Sequence, residues 1–143
     1  MKKMRFFLVV LVTMLVSNVV MADDRPIPVN MLPANAKAFV TTHFKGQKII
    51  YAEKDWNAYE SHLGDGTQVD FYRNGTWKKV DCNDFKAVPM AIVPAAIKQY
   101  VKANFPESII TKIEKEPYGY DIELSNELEL KFNKQGVLMR MDD

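Results

Sequence analysis

The residues able to do metal or covalent chemistry in this chain are few: His43, His62, Cys82 and, beyond residue 22, the serines Ser61, Ser108 and Ser125. The two histidines and the cysteine show no ligand spacing of the kind that holds zinc, and each histidine reads as an exposed or partly buried surface residue. No serine lies in a G-x-S-x-G setting, and no glycine-rich phosphate loop is present. Asp65, Gly66 and Asp70 lack the alternating acids of a calcium loop and read as a hairpin turn. Asn74-Gly75-Thr76 fits a glycosylation sequon but reads in the same way. Cys82 is the only cysteine, so no disulfide can form within the chain. It reads as a small, partly buried residue at a strand end. These patterns predict no catalytic residue, no metal and no cofactor, and therefore a protein that is not an enzyme.

The chemistry that remains belongs to carboxylates and aromatics on strands. If Val69, Phe71, Tyr120, Ile122 and Leu124 face a core, strand alternation turns their neighbours to the other side. The outward set is then Tyr51, Glu53, Glu60, His62, Asp70 and Tyr72, followed by Lys112, Glu114, Asp121, Glu123, Glu129 and Lys131. Seven acids against two lysines would attract a basic partner and speed its encounter. Trp56 and Tyr118, in hairpin loops, and Trp77 are aromatic types favoured at interface hot spots. The predicted partner-binding face therefore comprises Tyr51, Glu53, Trp56, Glu60, His62, Asp70, Tyr72, Trp77, Glu114, Tyr118, Asp121, Glu123 and Glu129. The competing reading is a solvated sheet face whose charges deter aggregation.

The elements that must position these residues come in two copies. A shift of 61 lays residues 32–82 on 93–143 without a gap, and thirteen of the 51 pairs are identical. They run from Pro33 with Pro94 through Phe44 with Phe105 and Phe71 with Phe132 to Asp81 with Asp142. Leu32, Ala36, Phe39, Val40 and Phe44 form one stripe of a 3.6-residue period, and Val93, Ile97, Tyr100, Val101 and Phe105 repeat it. Pro33 and Pro94 suit a first helical turn; Gly46 and Pro106 end the helices. Four short alternating strands follow each helix, with turns at Gly64-Asp65-Gly66, Asn74-Gly75, Ser125-Asn126 and Gln135-Gly136. The predicted class is α+β: two tandem α-β-β-β-β repeats, one antiparallel sheet of about eight strands, both helices on one face. The repeats span 32–82 and 93–143, joined by a linker at 83–92, and form one structural domain because neither buries enough alone.

Residues 1–22 read as a secretory signal peptide. Lys2, Lys3 and Arg5 precede an apolar run from Phe6 to Val16, and Val20-Met21-Ala22 supplies small residues before a cut. Cleavage near Ala22 leaves a lead-in at 23–31 and a periplasmic or secreted protein. Losing three of 19 basic residues against 18 acids gives a net charge of −2, which removes basic composition as grounds for nucleic-acid binding. No second long apolar run follows, so no membrane insertion is expected after signal removal. The expected partner is a protein or peptide of the cell envelope. The alternative is a structural or sensory envelope component acting by self-association or a small ligand.

The helix opening on proline, the hairpin VDFYRNGTWKKVD at 69–81, its partner LKFNKQGVLMRMD at 130–142 and the stretch VPMAIVPAAIKQYVKANFP at 88–106 resemble the PepSY-like proteins. The resemblance covers 32–143. It implies an exported protein with a tandem fold similar to that of the secreted beta-lactamase inhibitor protein, and an inhibitory or peptide-binding role. It implies no active-site residue.

Overall fold

The computed structural model describes residues 24–143; the predicted signal peptide lies outside the described residues. Strand β1 (Arg25–Ile27) leads through a short 3-10 turn at Val29–Met31 into helix α1 (Ala34–His43). Strands β2 (Ile49–Lys54), β3 (Ala58–Leu63), β4 (Gln68–Tyr72) and β5 (Trp77–Asp81) complete the first unit. A second 3-10 turn at Met90–Ile92 precedes helix α2 (Ala95–Asn104). Strands β6 (Ile110–Glu116), β7 (Gly119–Leu124), β8 (Glu129–Asn133) and β9 (Leu138–Asp142) end the second unit. Both helices and the strands that follow them recur at the 61-residue shift read from the sequence.

The nine strands among the described residues form one sheet in chain order, and every neighbouring pair is antiparallel. The ninth strand comes from the lead-in, which the alternation pattern left without an element. Its place has a reason in the repeat. Val80 of β5 lies opposite Ile113 of β6, and Ile27 lies opposite Ala52, the residue 61 positions before Ile113. The lead-in thus covers the start of the first unit as β5 covers the start of the second.

The helices share one face of the sheet. Ala36, Val40 and Phe44 of the first unit and Ile97 and Val101 of the second join Leu63, Phe71, Val80, Ile113, Ile122 and Phe132 in a single buried cluster. Phe39 meets Phe71 edge-on at 5.9 Å, and Tyr100 meets Phe132 edge-on at 5.5 Å, geometry that aromatic quadrupoles favour. Gly75 and Gly136 hold the helices down onto the sheet. Both have positive φ, +87° and +82°, and a Cβ on Gly136 would come within 2.6 Å of the Ala96 Cβ. The Asn35 side-chain amide donates to the Asn74 carbonyl at 3.0 Å beside the first of these turns.

Candidate binding face

On the face away from the helices the register aligns polar side chains in two rows across the sheet. The first runs Glu53, Glu60, Asp70, Lys79, Glu114, Asp121, Lys131, Arg140. The second runs Tyr51, His62, Gln68, Asp81, Lys112, Glu123, Glu129, Asp142. Residues directly opposite on antiparallel strands have Cβ atoms about 5 Å apart, so each row is a line of contacting side chains.

These rows bring together Tyr51, Glu53, Glu60, His62, Asp70, Glu114, Asp121, Glu123 and Glu129 of the predicted set. Tyr72 faces the same way opposite Ala58. Tyr118 stands at the β6–β7 turn, where its hydroxyl donates to Asp121 and accepts from Lys131 Nζ at 3.4 Å. Trp56 projects from the β2–β3 turn, 73% exposed. Trp77 does not belong to the face. It stacks on Phe39 at 6.2 Å beneath helix α1, with the Lys115 ammonium 4.2 Å over its ring. The cause is an irregularity in the β4–β5 ladder between Asp70 and Phe71, which sets Trp77 opposite the buried Phe71.

Charge is distributed unevenly along the rows. Lys131 holds Asp121 at 3.0 Å and Glu129 at 3.2 Å, and these acceptors, Asp121 first, hold its ammonium well above the usual lysine range. Lys79 lies 3.5 Å from Asp70, and Lys78 lies 3.5 Å from Glu114. The cations Lys79 and Arg140 come from β5 and β9, whose outward residues were not in the predicted set, and they dilute the expected acid excess. The excess survives at one end. Asp24, Glu53, Asp55, Glu60 and Asp70 line a cleft of about 110 Å³ with Lys78 at its side. Desolvation, then the charges of Glu60 and Asp24, push the Glu53 carboxyl above its ordinary pKa, with His62 opposing. His62 Nε2 lies 2.5 Å from Glu60 Oε2, and the Tyr51 and His62 rings lie 5.5 Å apart.

Ligand atoms of Glu53, Glu60 and His62 all fall within 4.8 Å of one another. Spacing along the chain predicted no such group, because its members sit on two strands and meet only through register. The fully buried Cys82 thiol is pushed up chiefly by burial, the opposite of what activates a nucleophile. A thiol reagent added to the native protein is expected to label Cys82 only as fast as the fold opens. Labelling at the rate of a free thiol would contradict its placement. Elsewhere, an apolar groove of about 470 Å³ runs along helix α2 past Met90, Val101, Phe105 and Ile109, with Lys98 and Lys102 beside it. It carries no carboxylate.

The described residues form a two-helix, single-sheet tandem repeat with an open polar face. The pattern of the family described as "Putative beta-lactamase-inhibitor-like, PepSY-like" matches residues 18–66 and 57–140, and the chain belongs to this family. Among solved structures, it is similar to a "putative calcium-regulated periplasmic protein" from Bacteroides thetaiotaomicron. The TM-score is 0.78 at 38% identity, over 85% of this chain and 98% of that one. It is similar also to two proteins from Bacteroides vulgatus, each described as a "putative periplasmic protein". One has a TM-score of 0.79 at 38% identity, over 87% of this chain and 100% of that one. The other, described as of unknown function, has a TM-score of 0.79 at 34% identity, over 84% and 99%. No curated protein matches the chain. No helix among the described residues is long and apolar enough to cross a membrane.

Proposed function

We propose that this chain is an exported, non-catalytic binding module whose open sheet face takes a basic segment of an envelope protein or peptide. The observation that carries the reading is the cleft in which Asp24, Glu53, Asp55, Glu60 and Asp70 converge around one side chain's volume. An arginine or lysine head entering it would offset the charges of Glu60 and Asp24, which after desolvation raise Glu53, while Tyr51 and Trp56 offer apolar and cation–π contact to its stem. The periplasmic relatives support export. The family description, "beta-lactamase-inhibitor-like", supports an inhibitory role.

The test is a calorimetric titration with a short arginine-rich peptide against the protein and its Glu53→Gln/Glu60→Gln double variant. The variant is expected to bind at least about tenfold more weakly, about 1.4 kcal/mol, and raised salt should weaken the parent more than the variant. Equal affinities would overturn the reading. Because desolvation, and after it the charges of Glu60 and Asp24, raise the folded-state pKa of Glu53, protonating it favours the fold. Its contribution to stability therefore rises as pH falls through that raised pKa, and neutralising it by substitution is not expected to unfold the protein. Peptide binding should decline over the same descent.

One observation favours a second reading, in which the Glu53, Glu60 and His62 group beside the cleft takes a divalent cation. Donor atoms on opposite sides of a calcium ion at 2.3–2.6 Å stand up to about 5 Å apart. The Glu53, Glu60 and His62 atoms lie within 4.8 Å of one another. Carboxylates suit calcium, His62 suits it less, and a relative at 38% identity is described as calcium-regulated. On this reading calcium raises the melting temperature with the concentration dependence of a ligand binding only the folded state. Glu60→Gln removes the rise, and calcium displaces the basic peptide. A melting temperature indifferent to calcium would retire it.

A further inference from the structure

Among the described residues, strand β9 is one edge of the sheet. Its equivalent in the first unit, β5, is paired on both sides, with β4 and with β6. Among the described residues β9 is paired only with β8. The consequence is visible at one residue. Val80 is fully buried at the β5–β6 joint, whereas Met141, 61 positions later, is 44% exposed. The opposite edge is guarded: β1 has only three residues, and Pro26 in its middle has no amide hydrogen to offer, a device that blocks edge pairing. Residues 137–142 contain no proline.

The β5–β6 joint shows what an edge of this kind accepts. Along β5 the order is cation, apolar, anion: Lys79, Val80, Asp81. These residues lie opposite Glu114, Ile113 and Lys112, so antiparallel pairing sets opposite charges on both sides of an apolar pair. Strand β9 carries the same order in Arg140, Met141 and Asp142. A strand reading cation, apolar, anion is its own antiparallel complement. Centred on Met141, Arg140 of each copy faces Asp142 of the other, and the two Met141 side chains meet on the helix side.

The backbone fits that centre. The Cys82 amide donates to the Thr111 carbonyl across the β5–β6 joint at 2.8 Å. Strand alternation then points the amide and carbonyl of Val80 toward β6 as well. At the 61-residue shift, Met141 points the same groups away from β8 to the free edge. Two facing Met141 residues would close a reciprocal pair of hydrogen bonds. Within one chain, Arg140 Nε lies 3.0 Å from Asp142 Oδ1, an ion pair along the strand that would be exchanged for two across the joint.

We propose that β9 is a self-association edge, and that its occupant is β9 of a second copy of this chain, forming a symmetric dimer with one continuous sheet. The interface is isologous and closes on itself, and it places two open faces side by side in the same orientation. The proposal stands independently of what those faces bind. A five-residue joint is small, so the dimer is expected to be weak, with Kd on the order of 10–100 μM.

Sedimentation equilibrium of the exported protein from micromolar to millimolar concentration tests it, with Arg140→Asp, Asp142→Arg and the double exchange compared alongside. Each single change sets like charges opposite each other twice, and each is expected to weaken the dimer by about tenfold or more. The double exchange restores opposite pairs and should return Kd to within about threefold of the parent. Far-ultraviolet circular dichroism confirms that each variant is folded. A parent that stays monomeric at 1 mM, single variants that dimerise as well as the parent, a double variant that fails to recover, or species growing beyond the dimer would each overturn the proposal.

Discussion

Replacing Gly119 with alanine will destabilise the protein by about 3 kcal/mol or more, while Ala58, its equivalent in the first unit, accommodates a methyl group already. Gly119 has φ +151°, and a Cβ there would press on the Phe132 carbonyl oxygen and come within 2.7 Å of the Asn133 Cα. The obstacle is backbone of the neighbouring strand, which cannot rotate aside as a side chain could. Overpacking of this kind costs about 1–3 kcal/mol, and a residue forced into a region glycine alone adopts readily adds about 1–3 more. The two sites differ because of their turns. Glu116 pairs directly with Gly119 across a two-residue connection. The β2–β3 connection instead spans Asp55, Trp56 and Asn57, closed by Asp55 accepting the Asn57 and Ala58 amides at 2.7 and 2.6 Å. Urea unfolding of Gly119→Ala and Ala58→Gly measures the asymmetry. Ala58→Gly should cost no more than about 1 kcal/mol, and equal losses at the two positions would contradict the packing.

The second large effect tests whether the repeats share a core. Phe71 and Phe132 are both fully buried at equivalent positions, each meeting the ring of its own helix. Phe→Ala at either site is expected to cost about 3–5 kcal/mol through lost transfer energy and the cavity left behind. That is a large share of the 5–15 kcal/mol typical of a domain. Since one cluster runs through both units and β5 is hydrogen-bonded to β6, the loss should lower a single transition whichever phenylalanine is removed. Fluorescence reports mainly on Trp56 and Trp77 in the first unit, and circular dichroism on the whole sheet. Coincident curves for Phe132→Ala are the expected result. A first unit that stays folded while the second melts would contradict the shared core.

The repeat made most of the fold legible in the sequence. Once residues 32–82 lay on 93–143, the helical stripes and turn glycines supported each other, and the helices and the strands after them appear in the structure at that shift. Strand β1 escaped because three residues are too short for alternation to register. It exists only because Ile27 finds an empty place opposite Ala52. The outward face was legible from period two alone. Its charge was not, because Lys79 and Arg140 belong to strands whose registers depend on ladder irregularities at Asp70/Phe71 and Lys131/Phe132. The same irregularity carried Trp77 to the helix side. The Glu53, Glu60 and His62 group is a product of cross-strand register, which no spacing along one chain reports.

The most direct test of the account is a map of amide chemical shifts during titration with the arginine-rich peptide. The largest changes are expected at Tyr51, Glu53, Trp56, Glu60 and Asp70, fading across the sheet toward β7 and absent from helix α2. Changes centred instead on Val101, Phe105 and Ile109, along the apolar groove of the helix side, would contradict it.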